Sequence, residues 1–74
     1  MNIKALRKAL GYSQEDMARE IGTSFKTYHR WEHNYPISKM GKTILKNFLD
    51  SLDPEVIKRG EEIAEEEAEY KVKK

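Results

Sequence analysis

Apolar residues recur along this chain at helical spacing, and no stretch alternates with the two-residue period of a half-buried strand. Ile3, Leu6 and Leu10 fall at i, i+3 and i+7, on one face of a first helix. Gly11 follows where a helix end favours a left-handed residue. Ser13 then opens Ser-Gln-Glu-Asp, an N-cap with acids in the first turn of a second helix. Met17, Ala18 and Ile21 supply its buried face, and Gly22 ends it. Ser24 caps a third helix from Phe25 to about His33, with Tyr28 and Trp31 as its inward pair. Asn34-Tyr35-Pro36 breaks the chain, because proline cannot continue a helix. Ser38 caps a fourth helix whose apolar face is Met40, Ile44, Leu45, Phe48 and Leu49, with Gly41 as a weak spot.

Asp53-Pro54-Glu55 starts a fifth helix: an N-cap, proline in the first turn and an acid beside it. Val56, Ile57, Gly60, Ile63 and Ala64 share an arc of about 120° on its wheel. Glu67 and Lys71 fall in the same arc, so the first half is expected to dock and the second half to be solvated. Glu55–Arg59, Glu67–Lys71 and Glu69–Lys73 are i, i+4 pairs in the favourable order. The expected fold is therefore all-α with five helices. A recognition domain is expected over 1–52 and an amphipathic, acidic helix over 53–74.

Charge sharpens this picture. The net charge of the 74 residues is +1. Residues 1–49 carry nine Lys or Arg against four acids, a balance of +5, and residues 50–74 carry five against nine, a balance of −4. A basic body before an acidic helix suggests a polyanion partner for the body, although charge scatter on a soluble surface gives the same balance and is what charge alone favours. Cysteine is absent, so neither disulfides nor thiolate metal sites are available, which suits a reducing compartment. Apolar runs fall far short of the roughly 20 residues of a membrane span. The first ten residues are charged and periodic and do not read as a signal peptide. A cytoplasmic location is the expectation.

The chemistry concentrates between Tyr12 and Glu32. Two short helices joined by a three-residue turn with Gly22 have the form of a helix-turn-helix. Ala18 is small enough for the helices to cross closely. With Tyr28 and Trp31 turned inward, the third helix must show Phe25, Lys26, His29 and Arg30 outward. Two cations, an imidazole and an aromatic on one exposed helix suit a reader of the DNA major groove. Phe25 cannot hydrogen-bond, and a thymine methyl is the contact it could make. Lys39 and Lys42, at the start of the fourth helix, are candidates for phosphate. His29 and His33 lie four apart but have no third ligand nearby, so no metal is expected. No nucleophile–base pair, glycine-rich phosphate loop or carboxylate cluster suggests catalysis, and no cofactor is implied.

Leu6-Arg7-Lys8, Tyr12 through Ser24, Tyr28-His29-Arg30-Trp31-Glu32 and Pro36 together resemble the helix-turn-helix of phage lambda repressor and Cro, the Xre type. The resemblance covers about residues 2–50. It implies a lambda-repressor-like bundle of four to five helices, the acidic C-terminal helix being extra. It also implies that the third helix enters the major groove while the start of the second grips phosphate. On that basis Gln14 contacts phosphate. Phe25, Lys26 and Arg30 stand at base-reading positions with Thr27 and His29 beside them, and Arg7 pairs with Glu32. A glycine is common two residues after that glutamate; Asn34 stands there and tolerates the same left-handed backbone.

The resemblance implies sequence-specific binding of double-stranded DNA by a regulator, a repressor of a phage or bacterial operon. Binding to a palindromic operator as a homodimer is expected, with Leu49, Leu52, Val56, Ile57 and Ile63 as the interface. An antitoxin using its acidic helix on a basic toxin is one alternative. A helical protein-interaction domain is the other; loss of the Lys26 and Arg30 surface would mark it.

Overall fold

A computed structural model describes residues 2–72, with side chains as far as Ala68. Five helices follow in order: α1 Ile3–Leu10, α2 Gln14–Ile21, α3 Phe25–Glu32, α4 Lys39–Asp50 and α5 Pro54–Val72. No strand occurs among the described residues, and the fold is all-α as the periodicity requires.

Local chemistry sets the boundaries. The Ser13 hydroxyl accepts from Asp16 N–H at 3.1 Å, and the Asp16 carboxylate reaches back to Ser13 N–H at 3.4 Å. This reciprocal cap satisfies two otherwise orphaned donors. Ser24 and Ser38 cap α3 and α4 without the return bond, accepting from Thr27 and Gly41 N–H. Asn2, which the periodicity did not mark, caps α1 by accepting from Ala5 N–H at 3.0 Å. Gly11 and Gly22 end α1 and α2 at φ 74° and 95°, and Asn34 turns the chain after α3 at φ 64°. Glycine takes this conformation at little cost, and asparagine is among the few other residues that visit it readily.

The core is Leu6, Met17, Ala18, Ile21, Tyr28 and Trp31, with Ile3, Leu10, Ile44, Leu45, Phe48, Leu49, Leu52 and Val56 packed around it. It therefore lies between α1, the α2–α3 pair and α4, and α5 closes it along α1, the most extensive helix contact. Leu49, Leu52 and Val56 thus spend part of their apolar surface on their own chain. Ile57 and Ile63 are half-buried.

Four expectations are corrected. Met40 is not part of the apolar face of α4; it is 75% exposed, because the first turn of α4 docks through Gly41 instead. Gly41 is no weak spot. A Cβ there would meet Ile37 Cγ2 and Trp31 Cζ2, both at 3.0 Å, so its bare backbone is what lets α4 start against the core. The second half of α5 is not simply solvated: Glu67 pairs with Lys8 of α1 at 3.3 Å. Arg59 lies 3.7 Å from Glu66, not paired with Glu55, so the ion pair spans two turns of α5. Lys71, Glu69 and Lys73, named in the other two pairs, have side chains outside the described residues.

Gly60 explains how α5 sits so close. A Cβ at this position would stand 3.1 Å from Leu6 Cα, tighter than ordinary contact. The helix therefore lays its backbone directly on α1.

Candidate nucleic-acid interface

The orientation of α3 is fixed from within. Tyr28 is fully buried and Trp31 nearly so, their rings meeting edge-on at 6.3 Å. At the end of the same helix, Glu32 gathers three donors. Arg7 Nε donates to its Oε2 at 2.7 Å, Gln14 Nε2 donates to its Oε1 at 2.8 Å, and the Tyr28 hydroxyl donates to Oε2. Arg7 also donates to the Tyr12 carbonyl at 3.0 Å. One carboxylate thus ties α1, the start of α2 and α3 together. Arg7 and Glu32 are the pair the resemblance implied. The parts of Tyr28 and Gln14 were not visible in the sequence, since neither spacing nor charge says where their polar ends point.

Burial alone would raise the Glu32 carboxyl, but the hydrogen bonds from Arg7, Tyr28 and Gln14 outweigh it and hold its pKa below the ordinary value. Burial, and then the bond to Glu32, push the Tyr28 phenol up. The bond to Glu32 raises the Arg7 guanidinium against the cost of burial. The unfolded chain therefore holds the Glu32 proton more readily than the folded one. Its stabilisation is present above the ordinary carboxyl value and is lost as pH falls through the depressed folded value. We expect thermal stability to decline as pH drops below about 4.5, and to decline less in Glu32→Gln. Melting curves from pH 6 to about 2.5 check this; equal acid sensitivity of both proteins would contradict it.

The opposite face of α3 is open. Phe25 is 46% exposed. Lys26, His29 and Arg30 are exposed and Thr27 is half-buried. Thr27 Oγ1 accepts from the Ser24 hydroxyl at 2.9 Å. Neither Lys26 nor Arg30 forms an ion pair among the described residues. Arg30 lies between two shallow recesses. One is shared with Lys26, His29, His33 and Tyr35, the other with Thr27, Trp31, Pro36 and Ser38. The second runs from α3 to the N-terminus of α4, where Lys39 and Lys42 are exposed. Tyr35, 58% exposed and bordering both recesses, is a surface residue the sequence pattern gave no reason to mark.

The residues marked from the sequence, Phe25, Lys26, Thr27, His29 and Arg30, all belong to α3, the helix with the open cationic face. Gln14 stands apart from it in one respect, since its side-chain nitrogen is committed to Glu32. No group of three or more metal-ligating side chains occurs among the described residues. No described helix is long and apolar enough to cross a membrane.

A family model described as Helix-turn-helix matches residues 3–46, which is α1 to the middle of α4 and more than half of the chain. Among curated proteins and among solved structures, no match was found. The family binds DNA, is of transcription-regulator type and is not typically enzymatic. The matched span holds the buried Tyr28–Trp31 pair, the Glu32 tie and the open cationic face, and the chain belongs to the helix-turn-helix family of the lambda repressor and Cro (Xre) type.

Proposed function

We propose that this chain is a sequence-specific, double-stranded-DNA-binding repressor of a phage or bacterial operon, acting in the cytoplasm as a two-fold dimer on a palindromic operator. One observation carries the reading. Lys26 and Arg30 stand without an ion-pair partner among the described residues, on a helix whose other face is pinned by Tyr28, Trp31 and Glu32. Rigid presentation of unneutralised cations is what bidentate reading of guanine in the major groove requires.

In this reading Phe25, Lys26, Thr27, His29 and Arg30 face base edges. Lys39, Lys42 and the first backbone N–H groups of α2 at Gln14 hold phosphates. The apolar surface left over at Leu49, Leu52, Val56, Ile57 and Ile63 forms the contact between copies. Glu61, Glu62, Glu65 and Glu66 are exposed on α5. Phosphate would repel them, so α5 faces away from the duplex and is the side open to a protein partner.

Selection from random duplexes tests this. The recovered sites are expected to be inverted repeats with half-site centres about 34 Å apart, and the complex should sediment with two protein chains. Single, unrepeated sites bound by one chain would contradict the dimer. Absence of any enriched sequence would contradict specific recognition.

A further inference from the structure

Three rings run in series along the open side of α3. The Phe25 and His29 centroids lie 5.8 Å apart with a tilt of 39°. His29 and His33 stack at 4.2 Å. His33 Nδ1 lies 2.9 Å from the His29 carbonyl oxygen and donates to it, which anchors the last ring to the backbone. His33 thus supports His29, and His29 supports Phe25. Yet Phe25, at the N-terminal end of the series, leaves 46% of itself in water.

Held by its stacked neighbours, the Phe25 ring offers a fixed apolar surface that a partner can cover without first ordering it. The N-terminal residues of a recognition helix are those that meet base edges. The apolar group that projects into the major groove is the 5-methyl of a pyrimidine. Lys26 and Arg30, one and five positions further on, present cations beside the rings. Guanine O6 and N7 are the acceptors that match them.

We infer that α3 reads a 5-methylpyrimidine next to a guanine. Phe25 covers the methyl, Arg30 or Lys26 bonds the guanine, and the His29–His33 stack is a positioning support for Phe25. The inference rests on the DNA-binding reading above and names the chemical class that its surface takes. Thymine and 5-methylcytosine both carry the group.

The test begins with one random duplex library, copied once with thymine and once with uracil, which keeps every hydrogen-bonding group of thymine and lacks only the methyl. Sites recovered from the thymine library are then rebuilt with uracil, cytosine or 5-methylcytosine at each pyrimidine. At one position per half-site, uracil is expected to weaken binding about fourfold, or about 16-fold over two half-sites, the worth of a buried methyl. Phe25→Ala should bind thymine and uracil versions alike. His33→Ala should narrow the thymine-to-uracil ratio and leave affinity for the uracil site unchanged, which a merely structural role would not do. If 5-methylcytosine binds more tightly than thymine, methylated cytosine is the source; otherwise thymine is. The inference is overturned if uracil costs nothing at any position, or if its cost persists in Phe25→Ala. Equal enrichment of both libraries overturns the methyl contact alone, and enrichment of neither overturns the DNA-binding reading with it.

Discussion

Replacing Glu32 with alanine is expected to remove about 3 kcal/mol of stability, near the lower edge of the range for breaking a buried ion pair. The Glu32 side chain is 2% exposed and that of Arg7 16%. Truncation therefore strands a guanidinium, a buried phenol and an amide that all donated to one carboxylate. A chain of 74 residues has only about 4–11 kcal/mol to lose, and melting should fall by about 15 °C. Arg7→Met should cost a similar amount, because the carboxylate then stays buried with neutral donors only. The double variant Arg7→Met/Glu32→Ala should cost clearly less than the two single losses combined, with a coupling of at least about 1 kcal/mol. Chemical denaturation of the four proteins measures it, and a coupling near zero would show that the contact does not hold α1 to α3.

The elements that the sequence announced are those decided within a few residues. Ser13, Ser24 and Ser38 accept from backbone N–H groups three positions on. Gly11, Gly22 and Asn34 take left-handed backbone. Tyr28 and Trp31, three apart with polar residues between them, share the face of α3 that packs on the core. What could not be read depends on where a distant element comes to rest. Met40 follows the helical period yet is exposed, since α4 meets the core through its neighbour Gly41 and then through Ile44, Leu45 and Phe48. Gly41 and Gly60 look like ordinary helix weaknesses until Trp31 and the backbone of Leu6 are found beside them. Glu67 reads as a spoiled apolar position, but Lys8 waits on α1 to receive it. The outward face of α3 followed from the inward one, whereas the stacking of Phe25, His29 and His33 depends on rotamers that spacing does not fix.

Replacing Arg30 with alanine should weaken the preferred site about 10- to 100-fold, the worth of a bidentate base contact, and relax the sequence preference at one position of each half-site. Binding to random duplexes should change far less. Lys39→Ala should act in the opposite sense, weakening all duplexes alike and flattening the salt dependence by about one charge, because phosphate carries no sequence information. The distinction follows from position. Arg30 stands on the open face of α3 opposite the buried pair, and Lys39 stands at the start of α4.

Guanine N7 lies in the major groove, so its reactivity reports the presence of α3 there. On a selected site, the protein is expected to shield one guanine of each half-site from methylation at N7 by dimethyl sulfate. That shielding should vanish in Arg30→Ala at concentrations that still saturate the DNA, and persist in Lys39→Ala. Full reactivity of every guanine N7 in the saturated wild-type complex would contradict a major-groove role for α3.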